Sequence, residues 1–198
     1  MNRAELKSAA KSQIKGKIGT LLLITLVIGL ISGLASALGA IPVVGIFIGL
    51  LVTFVITPAF SLSTIRIYLD VSAGGTPTVN DAFSGFSDFW AAFKNTFLVG
   101  LFTTLWSLLL FIPGIVKGYS YSMSMYILAE NPGKPALECI SESKELTYGH
   151  KMELFLLDLS FLGWILLTVI TFGIAGIWTI PYMSTTSANA YRWLKEQK

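Results

Sequence analysis

Charged side chains, histidine and cysteine are what this sequence of 198 residues has least of: 13% of its residues are Asp, Glu, Lys or Arg, and it holds one His and one Cys. A single histidine, His150, cannot build a multi-histidine metal site. A single cysteine, Cys139, leaves no internal disulfide, no Cys-based metal cluster and no claim on an oxidising compartment. No Gly-x-x-x-x-Gly-Lys-Ser/Thr phosphate loop, no His-Glu-x-x-His pair and no Gly-x-Ser-x-Gly elbow occurs. The expectation is a protein that is not an enzyme, with no catalytic residue, no cofactor and no metal. His150 beside Lys151 reads as a headgroup contact at a membrane interface.

Charge is missing most completely between Lys17 and Arg66, where no position carries one. A membrane helix takes about 20 apolar residues, so Ile18 to Ile65 reads as two, hinged at Gly39-Ala40-Ile41-Pro42. Lipid offers backbone N–H and C=O groups no water, and back-to-back helices satisfy them internally. The 54% hydrophobic content and mean hydropathy of +0.70 fit about six spans and leave little for a soluble domain. The net charge of +3 would suggest nucleic acid in a soluble protein; in a membrane protein it marks the cytoplasmic side, and no nucleic-acid partner is expected. Ala35-Ser36-Ala37 imitates a signal-peptidase site, but the apolar run continues past it into a second span.

What is present is a chain of amphipathic pieces and apolar runs. In residues 1–17, Arg3, Lys7, Lys11 and Lys15 recur at i,i+4 and stack four cations on one helical face. Anionic lipid headgroups would neutralise that stripe while Leu6, Ala10 and Ile14 turn toward lipid or protein; a basic segment that only sets orientation is the alternative. Gly29 with Gly33, and Gly45 with Gly49, form Gly-x-x-x-Gly pairs that predict close helix packing, within the chain in preference to between chains. From a cap at Thr78, the residues Val79, Phe83, Phe86, Trp90 and Phe93 share one helical face, with Gly85 interrupting. A span from Asn95 breaks at Ile112-Pro113-Gly114, and Lys117, Ser120, Tyr121 and Ser124 then lie at i, i+3, i+4 and i+7 on a face predicted to look into the bundle. A third surface helix is predicted over 136–147, and the last apolar block splits at Thr171-Phe172-Gly173.

The pieces repeat three times: surface helix, membrane helix, tight turn, return helix. Pro58, Ser61 and Tyr68 share their spacing with Pro181, Ser184 and Tyr191, and Tyr126 closes the middle unit. The predicted fold is therefore all-α, a polytopic membrane helical bundle of six transmembrane helices in three hairpins, each preceded by an amphipathic interfacial helix. As one integral membrane domain over 1–198, it divides into a basic surface helix (1–17), hairpin 1 (18–68), a surface helix with hairpin 2 (78–130) and a surface helix with hairpin 3 (135–195). Both termini and the two long loops placed in the cytoplasm put every one of the 14 Lys and Arg residues except Lys117 on that side.

Several motifs also carry a resemblance: Arg3, Leu6, Lys7, Lys11 and Lys15-Gly16; Phe83-Ser84-Gly85-Phe86; Ile112 to Lys117; Ser120 to Met123; Asn131-Pro132; Gly149-His150-Lys151; Leu157 to Trp164; and Pro181-Tyr182 with Tyr191. Together they resemble the bacterial membrane family catalogued as domain of unknown function 975. The resemblance implies a plasma-membrane protein, mostly of Gram-positive bacteria, distantly similar to the membrane domain attached to some glycerophosphodiester phosphodiesterases. It implies no activity and transfers no catalytic residue.

Ionisable groups inside the apolar runs are the candidate site, because charge there persists only when paired, hydrated or able to reach the interface. Asp158 is the deepest carboxylate by sequence, Lys117 its candidate partner, and Tyr121, Ser124, Tyr182 and Thr186 the polar groups expected around them; Glu153 is expected to reach the interface. Two functions follow. One is a non-enzymatic accessory or organising component of the membrane, with lipid, another membrane protein or a second copy as partner; the other is a small permease or lipid-handling transporter with a polar site near Asp158.

Overall fold

The computed structural model describes residues 1–38 and 44–197, and these form helices and turns, with no strand among them. The hinge expected at Gly39 to Pro42 lies outside the described residues. Helix α1 (Arg3–Ile14) is capped by Asn2, whose side chain accepts from Glu5 N–H at 3.3 Å. It meets α2 (Ile18–Leu38) at 90°. Helix α3 (Val44–Leu51) runs through a π turn (Val52–Ile56) into α4 (Thr57–Ser72). Pro58 lies in the first turn of α4, where a missing N–H costs no helical bond.

Residues Val79–Phe86 wind as a 3-10 helix behind the expected cap: Asp81 accepts from Thr78 N–H at 2.7 Å and from its hydroxyl at 3.0 Å. The aromatic stripe does not continue as one helix. Gly85 N–H donates to Ser63 Oγ at 2.8 Å, and Phe83 and Phe86 close around Phe60 at 6.0 and 5.2 Å, so the chain turns before α5 (Phe89–Leu109) begins. Leu110, in extended conformation, makes the next break, and Pro113 falls in the first turn of α6 (Phe111–Tyr121). Helix α7 (Ser124–Glu130) follows after Ser122-Met123, then α8 (Ala136–Leu146), α9 (Lys151–Leu159), α10 (Leu162–Ile170) and α11 (Gly176–Glu196).

The amphipathic pieces pack on neighbouring helices: the 3-10 helix on α4, α8 on α7, and α1 on α11. Polar contacts mark these seams. Ser143 Oγ donates to Ser120 O at 2.8 Å and accepts from Met123 N–H at 3.2 Å, while Asn189 Nδ2 donates to Gln13 Oε1 at 2.9 Å. The first helix thus closes a ring on the last, and the Tyr126 ring stacks on Tyr191 at 5.3 Å inside it.

Burial divides the molecule in two. Beside the long loops lies a packed core containing Ala10, Leu62, Val71, Ile127, Leu157 and Leu194. Beyond it, apolar side chains stand uncovered, from Leu26 and Leu30 on α2 and Leu105 to Leu109 on α5 to Ile165 to Ile170 on α10. Among the described residues, three helices are long and apolar enough to cross a membrane: Val52–Ser72, Phe89–Leu109 and Lys151–Ile170. The bent pair Arg3–Ile14 and Ile18–Leu34 makes a fourth if taken together. Close approaches fall at Gly85, Gly75 and Gly114, where an added Cβ would lie 2.0 Å from Ala59 O, 2.1 Å from Asp70 Oδ1 and 2.2 Å from Ser107 Oγ. Gly29, Gly33 and Gly49 face open space instead, because they sit in the uncovered half, so the packing expected of the Gly-x-x-x-Gly pairs is not made within the chain at these positions.

Candidate functional site

Asp158 sits in the last turn of α9, and its carboxylate accepts a hydrogen bond from the Tyr119 hydroxyl at 2.9 Å. No ion pair among the described residues includes it. Lys117 does not supply one: its ammonium lies over the Trp106 ring, 4.6 Å from the centroid. The expected Asp158–Lys117 pair is absent because Lys117 precedes Tyr119 by two residues, about 200° around a helix, and faces α5 instead. Asp158 is also exposed, seven residues or about 10 Å beyond Lys151, beside the point where uncovered Leu159 and Leu162 begin the apolar surface. It therefore sits at the border of the packed half and not deep among apolar neighbours.

Behind Asp158 opens a cavity of about 190 Å³ lined by Tyr119, Ser122, Tyr126 and Ser187, with Leu154 and Leu157 as its apolar wall. Ser122 Oγ donates to Tyr119 O at 2.9 Å and Ser187 Oγ to Met183 O at 3.1 Å, while the Tyr119 proton goes to Asp158. These hydroxyl protons are spent within the protein. What Tyr119, Ser122, Ser187 and the carboxylate leave for a ligand is oxygen lone pairs, beside the Tyr126 hydroxyl, which is hydrogen-bonded with Ser187.

Of the residues expected around Asp158, Tyr121, Ser124, Tyr182 and Thr186 are buried, and none lines the cavity. Tyr182 packs between Phe161 and Trp164 at 5.9 and 5.7 Å, and Thr186 donates to Tyr182 O at 2.7 Å. The sequence contained the correct face at the same spacing two residues on: Tyr119, Ser122, Met123 and Tyr126 also lie at i, i+3, i+4 and i+7.

The cationic stripe of α1 is turned partly inward. Arg3 Nη1 donates to Leu156 O at 3.4 Å, which also accepts from Ser160 N–H at 3.2 Å, and Lys7 Nζ donates to Ser160 O at 3.2 Å, at the break between α9 and α10. Lys7 also lies over Phe161 at 4.6 Å and Lys11 over Tyr182 at 5.7 Å, whereas Lys15 is exposed. Ala10 and Ile14 of the same helix are buried in the core.

The sequence model of one family, described as "Protein of unknown function (DUF975)", matches residues 1–117 and 108–198, and so takes in α1, the cavity and all the helices between. The chain belongs to this family. No curated protein and no solved structure was found to match it. The family description carries no activity, so the chemistry of this member is argued from its own residues.

Proposed function

We propose that this family member is a six-span plasma-membrane protein with both termini cytoplasmic, acting as a non-enzymatic component that organises or accompanies another membrane machine. The observation that carries the reading is the division of the surface: exposed apolar side chains over one half, and over the other the helix seams, on or beside which lie Arg3, Lys7, Lys11, Lys134, Lys144, Arg192 and Lys195. A polypeptide in water would bury the first half. The polar groups give no sign of a reaction centre. His150 is held between Glu153 at 2.8 Å and the Trp193 ring at 5.1 Å, and Asp158 is paired with a phenol and not with a nucleophile.

Cysteine labelling tests the arrangement. In a Cys139→Ser background, probes at Gly75 and Lys134 should react only with reagents that enter the cytoplasm, and a probe at Gly173 from outside. Outside labelling of either loop probe overturns the six-span map. Proteins that copurify with the wild type, and are lost when exposed faces of α8 are altered, would identify the machine. The cavity beside Asp158 favours a second reading, a small permease or lipid handler. Saturable flux in proteoliposomes, abolished by Asp158→Asn, would replace the accessory role with that one.

A further inference from the structure

We propose that the cavity beside Asp158 binds a primary ammonium group. The cavity presents one carboxylate with no cationic partner, and its hydroxyls at Tyr119, Ser122 and Ser187 have their protons committed to protein acceptors. An ammonium carries one positive charge and up to three N–H donors, which is the complement of one carboxylate and several free oxygen lone pairs. Among the described residues no group of three or more His, Cys, Asp or Glu gathers to hold a multivalent metal. The volume of about 190 Å³ is that of roughly six waters, enough for an aminoethyl group.

Location gives the ligand two sources. Exposed Leu159 and Leu162 lie just beyond the carboxylate, so an amine-headed phospholipid can place its headgroup at Asp158 with its chains along the apolar surface. A free alkylamine presents the same group. The inference rests on the membrane placement proposed above, and its test leaves that placement to the labelling experiment.

The test uses full-length protein purified in detergent and compares its unfolding midpoint in ethylammonium, tetramethylammonium and sodium chlorides at equal ionic strength. Ethylammonium should raise the midpoint and the other two should not, since tetramethylammonium lacks N–H donors and sodium lacks the organic surface. Asp158→Asn should abolish the response, and Ser187→Ala, which keeps the carboxylate, should weaken apparent affinity about tenfold. Should Asp158→Asn fail to fold, Ser187→Ala and Tyr119→Phe carry the test, each expected to weaken the response. An equal response to all three salts, or an ethylammonium response unchanged in the folded variants, overturns the proposal. Native mass spectrometry from nanodiscs then separates the sources. Retention of phosphatidylethanolamine over phosphatidylglycerol, lost in the cavity variants, supports the headgroup; an ethylammonium response without lipid preference supports a free amine. A cytoplasmic labelling pattern that stays intact while amine selectivity is missing overturns this inference alone.

Discussion

The helix running from Lys151 to Ile170 belongs to both halves of the molecule. Its first part buries Leu154, Leu157 and, at the break, Phe161, whereas its second part leaves Leu166, Val169 and Ile170 uncovered. The side chains are of the same kind, and only their neighbours differ. In the membrane placement proposed above lipid replaces water there, apolar surface gains little from being covered by protein, and the far half has no drive to close on itself. The packed half is instead specified by hydroxyl bonds and close backbone approach, at Ser63 with Gly85, at Ser143 with the α6–α7 break, and at Asn189 with α1. Its apolar contacts lie near enough to the loops to be reinforced by the exclusion of water.

The sharpest way to break this contrast is to make one substitution in both halves. Leu157→Ala, at a site 2% exposed, should destabilise the detergent-solubilised protein by about 3 kcal/mol, while Leu166→Ala, at a site 59% exposed, should stay within about 0.5 kcal/mol. Similar losses at both positions in denaturant titrations would mean that the far half packs against a partner or a second copy. Glycines extend the comparison. Gly85→Ala should cost about 2 kcal/mol by driving the 3-10 helix off α4, whereas Gly33→Ala, in open space, should be neutral or slightly stabilising through helix propensity. A loss at Gly33, read by the same titration and by oligomeric state, would place a helix contact there.

Removal of a seam hydroxyl should cost less. Ser143→Ala leaves Met123 N–H without its acceptor and should lower stability by about 1.5 kcal/mol, against no measurable change for Ser107→Ala in the exposed turn of α5. The smallest effect is expected at the edge of the packed half, where Arg66 Nη2 meets Asp88 Oδ2 at 2.6 Å. The Arg66 hydrogen bond, against some burial and with help from Ser87, holds the Asp88 carboxyl below the usual range. A lowered carboxylate pKa contributes stability above its unfolded value of about 4 and loses it as pH falls through the folded one. The pair, partly exposed, is worth about 0.5 to 1 kcal/mol. Thermal melts should show the drop below about pH 4 in the wild type, and Asp88→Asn should lack that component.

Much of the organisation was legible because charge and hydropathy are local properties. The cap at Thr78, the third surface helix, the breaks near Pro113 and Phe172, and the burial of Ala10 and Ile14 follow from neighbours in sequence. The site was only half legible. Charge marks Asp158, but two polar stripes of equal spacing alternate along residues 117–126, and periodicity alone cannot say which one meets α9.

By itself, then, the sequence determined that the chain is helical, where several of its helices start or stop, and that apolar surface exceeds what a core of this length can bury, because each depends on residues within a few turns of one another. Only the tertiary structure decided that α1 closes the ring on α11, that Lys117 turns to Trp106, and that Asp158 faces Tyr119 across a cavity. Those outcomes depend on the angle at which distant helices cross and on their rotation about their own axes, and a rotation of two residues exchanges one polar stripe for the other without altering the pattern from which the helix was read.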